Sequence, residues 1–117
     1  MSEQQQRQPM NYGYVRVSTA RQAREGVGLD AQTGGIEAHY QFKLRAEGFA
    51  WGGHFIDDGV SGKTPLRDRP GGAQLFAALE KGDCVTFLKL DRAFRSVLDM
   101  LETLKLLDLR GVRVVFL

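Results

Sequence analysis

Gly13-Tyr14-Val15-Arg16-Val17-Ser18-Thr19 reads as the carboxyl end of a β-strand that begins near Tyr12. Its reading decides the fold because the same kind of element recurs along the chain. Strand candidates follow at His54–Ile56, Cys84–Leu88 and Val112–Phe116, with helical spacing between them. The first helix is expected within Asp30–Glu47, where Ile36, Tyr40 and Leu44 recur every fourth residue. Gly34 and Gly35 weaken it by about 1 kcal/mol each relative to alanine. A second, short helix follows Pro70 with Leu75, Phe76 and Leu79 on one side and Gly82 beyond its end. A third runs from Ser96 to Arg110, apolar around so much of its circumference that it calls for cover on two sides. Strands alternating with helices predict an α/β fold: an open, mostly parallel sheet of four or five strands flanked by helices.

Arg16 and Ser18 are two apart, so on a strand they share a face. A hydroxyl nucleophile and a guanidinium then meet where the strand ends. A guanidinium forks two N–H donors onto phosphate oxygens, and no histidine is adjacent. The pair therefore points to a phosphodiester more than to an amide. A second charged run, Lys89-Leu90-Asp91-Arg92-Ala93-Phe94-Arg95-Ser96, follows the apolar strand candidate Cys84–Leu88. Arg92 and Arg95 fall on one side of a helical turn. In an open parallel sheet, ligands bind beyond the carboxyl ends of the strands. Two such ends carrying Arg16, Ser18, Arg92 and Arg95 would converge on one phosphate.

These runs resemble the catalytic domain of the serine recombinases, the resolvase/invertase family. The likeness rests on Tyr14-Val15-Arg16-Val17-Ser18-Thr19, Gly28-Leu29-Asp30-Ala31-Gln32 and Phe55-Ile56-Asp57-Asp58-Gly59-Val60-Ser61-Gly62. Arg67-Asp68-Arg69-Pro70 and the run Lys89–Ser96 complete it, in the family's order. The resemblance implies that Ser18 attacks DNA and forms a 5′-phosphoserine link, releasing a 3′-hydroxyl. It implies Arg16, Arg69, Arg92 and Arg95 as the charge around the phosphate, and Asp91 as the carboxylate that orients an arginine or handles a proton. Tyr14, Gln32, Asp57 and Ser61 are supporting or DNA-contacting candidates. Double-stranded DNA is the implied partner, with a homodimer and a synaptic homotetramer formed by the full-length parent in the cytoplasm. Residues 1–10 are expected to be a flexible tail and 11–117 the catalytic domain, cut before the family's long interface helix and DNA-recognition domain. Phe94 stands where the family commonly has a small residue.

At 117 residues, 43% hydrophobic and 26% charged, the chain has the composition of one globular domain. A net charge of +2 permits DNA contact without demanding it. A single cysteine, Cys84, excludes an internal disulfide. No apolar stretch reaches the roughly 18 residues of a membrane span. Gly59-Val60-Ser61-Gly62-Lys63-Thr64 echoes a phosphate-binding loop but has Asp57 where that pattern needs glycine, and Pro65 disfavours a helix there. His39 and His54 lack ligand spacing, so neither a metal nor a cofactor is expected. Two other readings remain open: a recombinase fragment that acts only through protein contacts, and a small α/β module that binds a phospho-ligand.

Overall fold

The computed structural model describes residues 7–17, 29–61, 63–88, 94 and 96–117. Four strands form one sheet: β1 (Met10–Val17), β2 (Ala50–Asp58), β3 (Cys84–Phe87) and β4 (Arg113–Phe116). Their order is β2-β1-β3-β4 and every pairing is parallel. Parallel neighbours need crossovers, and among the described residues three helices lie in them: α1 (Leu29–His39), α2 (Pro70–Ala78) and α3 (Val97–Leu109). A π-helical turn, Tyr40–Leu44, prolongs α1.

Alternation along β1 sorts the core into two layers. Val15 and Val17 pack on Ile36 of α1. Tyr12 and Tyr14 face the other way and join Leu75 of α2, Leu107 of α3, Val85 and Phe87. Phe94, the large residue at a position where a small one was expected, is buried in this second layer, its ring 5.5 Å from that of Phe87. It fills the core between β3 and α3.

The strands His54–Ile56 and Tyr12–Val17 are longer than their patterns suggest, because β1 and β2 pair from Met10↔Ala50 through Val17↔Asp58. The chain is also anchored before the expected domain start at residue 11. The buried Asp83 carboxylate accepts from Met10 N at 2.9 Å and from Arg7 Nη2 at 2.7 Å, and Ala50 N donates to Pro9 O at 2.8 Å. Gly34 and Gly35 lie inside α1 without interrupting it. The expectation for α3 needs correction. Its buried positions are Asp99, Thr103 and Leu107, whereas Val97, Leu98, Leu101 and Leu109 are exposed. One side is covered within this chain, and the leucine-rich side is the outer one.

Candidate active site

The strand order places a switch point between β1 and β3. From β1 the chain crosses to β2 on one side, and from β2 it crosses back to β3 on the other. The crevice beyond the carboxyl ends of these two strands is where such a sheet holds its ligand. Ser18 follows β1 by one peptide bond, and the run beginning at Lys89 follows β3 by two residues. Ser18, Asp91, Arg92 and Arg95 lie outside the described residues.

Below that end the structure brings four of the expected residues together. Tyr14 and Arg16 leave the same face of β1, and Arg16 stands opposite Asp57 in register. Tyr14 Oη donates to Asp57 Oδ2 at 2.8 Å and accepts from Arg69 Nη1 at 3.0 Å. Asp57 also accepts from the first turn of α2, from Gly71 N at 2.6 Å and Gly72 N at 3.0 Å. A carboxylate there satisfies helix donors that have no partner within the helix and meets the positive end of its dipole. The close approach requires glycine. A Cβ on Gly72 would lie 1.9 Å from Leu66 O, and one on Gly71 would lie 2.8 Å from Ile56 O.

Arg69 has no solvent-exposed surface. Its Nε donates to Thr64 O at 2.8 Å, and Nη2 lies 3.6 Å from Asp99 Oδ2. Arg16, also buried, donates from Nη1 to Val60 O at 2.9 Å. The loop after β2 folds over the end of β1 to supply that carbonyl, with Gly59 N on Val17 O at 2.7 Å. Gly59 turns the chain at φ +79°, a conformation other residues rarely adopt. The phosphate-loop echo ends differently from a nucleotide site: Thr64 and Pro65 lead into a 3₁₀ turn, Leu66–Asp68.

Among the described residues the group holds two cations, Arg16 and Arg69, and two carboxylates, Asp57 and Asp99. A balanced set of this kind tolerates burial where an unpaired charge would not. Burial pushes the Tyr14 phenol well above its usual range, outweighing the opposing hydrogen bond from Arg69. It is therefore a neutral hydroxyl near pH 7, a hydrogen-bond bridge and not a base.

The remaining candidates sit elsewhere. Gln32 is buried on α1, one turn before Ile36, and so approaches the other face of the sheet. Ser61 is exposed, and its Oγ accepts from Lys63 N at 3.1 Å in a local turn. Sequence reasoning missed Asp99 and the Gly71-Gly72 pair. The signal for Asp99 was an acid inside the apolar run Val97-Leu98-Asp99-Met100-Leu101. For the glycines it was their place directly after Pro70, at a helix start where such residues weaken the helix.

Residues 11–117 match the model of the resolvase N-terminal domain family. The transposon Tn2501 resolvase of Escherichia coli is 29% identical over 103 residues, which cover 88% of this chain and 47% of that protein. A resolvase/recombinase of Pseudomonas putida is 35% identical over 106 residues, covering 91% and 50%. The chain thus spans about half the length of the curated relatives it matches. Among solved structures, the N-terminal catalytic domain of TP901-1 integrase superposes with a TM-score of 0.68 at 30% identity, covering 90% of this chain and 75% of that one. The catalytic domain of ISC1926 TnpA, an IS607-like serine recombinase, shares the fold, with a TM-score of 0.64 at 23% identity over 92% and 69%. With a family match that runs through both halves of the site, the chain belongs to the resolvase N-terminal domain family, the catalytic domain of serine recombinases.

Proposed function

We propose that this chain is the catalytic part of a site-specific DNA recombinase that cuts and rejoins double-stranded DNA through a 5′-phosphoserine on Ser18. The observation that carries the reading is the Tyr14–Asp57–Arg69 bridge with Arg16 beside it, packed under the end of the strand that Ser18 follows. In the forward step Ser18 Oγ bonds to phosphorus as the bond to the deoxyribose 3′-oxygen breaks. The serine proton is lost and the leaving oxygen gains one. Rejoining reverses both transfers, so the phosphoester keeps the bond energy and no nucleotide cofactor is consumed.

Among the described residues the buried group pairs Arg16 and Arg69 with Asp57 and Asp99, so further cations are called for around an incoming phosphate. That role falls to Arg92 and Arg95, with Asp91 orienting them. A well-aimed donor contributes about 2.7–4 kcal/mol to such a transition state. Arg16 and Arg69 aim their donors from beneath the end of β1, held there by Val60 O, Tyr14 and Asp99. Gln32 supports the end of β1 from the opposite face, and Ser61 shapes the loop that covers it. Dimers that pair into a tetramer on DNA are proposed for the whole gene product, since this chain spans about half of its relatives. The test is to incubate that gene product with sheared genomic DNA of its source and look for detergent-resistant protein–DNA adducts. Adducts should form with the wild type and vanish in Ser18→Ala. Equal adduct in the variant, or none with the wild type, would overturn the reading.

A further inference from the structure

The polarity of α3 is inverted. Its outward positions include Val97, Leu98, Leu101 and Leu109, whereas Asp99 and Thr103 point inward, with Asp99 at 5% exposure. Hydrophobic burial does not account for a carboxylate at that place. Asp99 gathers contacts from three separate pieces of the chain. Both of its oxygens accept from Leu66 N, at 3.2 and 3.3 Å, and Oδ1 accepts from Thr103 Oγ1 at 3.3 Å. Oδ2 lies 3.6 Å from Arg69 Nη2. Its own amide donates to Ser96 Oγ, the cap of α3, at 3.2 Å. Asp99 is thus joined to the Leu66 turn, to Arg69, and to the start of the helix that immediately follows the run containing Arg92 and Arg95.

We propose that Asp99 is a positioning residue for phosphoryl transfer: its carboxylate aims the Arg69 guanidinium and ties it to the amino end of α3. The inference rests on the proposed recombinase reading. Among the described residues, Arg69 is held by Thr64 O, Tyr14 Oη and the Asp99 carboxylate. The Asp99 carboxylate carries a charge and is borne by α3. At 3.6 Å the ion pair is longer than the roughly 2.7–2.9 Å of a tight charge-assisted hydrogen bond. A buried pair of this kind adds little net stability once desolvation is counted. Its effect is on where the guanidinium sits. Through Tyr14 that position passes to Asp57 and the first turn of α2. Movement of α3 therefore shifts Arg69.

Asp99→Asn keeps the shape and an acceptor for Leu66 N while removing the charge. Asp99→Glu keeps the charge and displaces it. In the complete gene product, with a DNA fragment recovered as a wild-type adduct, Asp99→Asn should bind that fragment as tightly as the wild type. Its rate of Ser18–DNA adduct formation should fall roughly 10- to 100-fold, the scale of a small misplacement of a catalytic group. Asp99→Glu should recover part of that loss. The Arg69 Nε–H resonance should shift in Asp99→Asn. Adduct formation at the wild-type rate in Asp99→Asn, or a parallel loss of fold in both variants, would overturn the inference. Adducts that survive Ser18→Ala would instead overturn the underlying reading, so the two failures are distinguishable.

Discussion

Tyr14 uses one hydroxyl twice, donating to Asp57 and accepting from Arg69, and so links an acid on β2 to a cation at the mouth of α2. Both links involve a charged partner, for which a hydrogen bond contributes about 1.5–3 kcal/mol. Tyr14→Phe keeps the ring against Phe87 and removes only the bridge. Stability should fall by about 1.5–3 kcal/mol, read as a lower urea midpoint at constant slope. An unchanged midpoint would show that the hydroxyl does not hold the pair together. Tyr14 stood out in sequence as a supporting candidate, through the run Tyr14–Thr19 that resembles the serine recombinases. Its bridging geometry was not legible there, because Asp57 and Arg69 are distant in the chain and meet only when β1 pairs with β2 and α2 folds back.

Helix α2 shows how a short element aims a site. Pro70 occupies its first turn, where no donor is lost, and Gly71 and Gly72 bring bare amides onto Asp57. Gly72→Ala forces a methyl against Leu66 O and should cost about 1–3 kcal/mol in a denaturation series. Gly34→Ala, in the interior of α1 with open space at its Cβ, should instead stabilise by up to about 1 kcal/mol. Similar changes at both sites would contradict the close-approach account. The existence of all three helices could be read from spacing and punctuation. The facing of α3 could not: its leucines outnumber its polar residues, and periodicity alone assigns them inward. The structure turns Asp99 and Thr103 inward because Leu66 N and Arg69 need acceptors there.

The whole domain is organised around one crossing of the chain. Parallel strands require helices on both faces, and the return of the chain past β1 to β3 opens the crevice at their ends. That architecture followed from the alternation of elements, whereas the anchoring of residues 7–10 did not. It depends on Asp83, an acid some 75 residues away that a one-dimensional pattern does not connect to Arg7. The buried group beneath the crevice gives the domain a fixed floor, and the proposed function assigns the nucleophile and the neutralising arginines to the segments that leave β1 and β3. Mass spectrometry of the nuclease-trimmed adduct from the complete gene product locates the covalent bond. The account predicts a 5′-phosphonucleotide on the peptide containing Ser18 and a free 3′-hydroxyl on the opposing DNA end. A nucleotide on any other residue, or a bond to a 3′-phosphate, would contradict it.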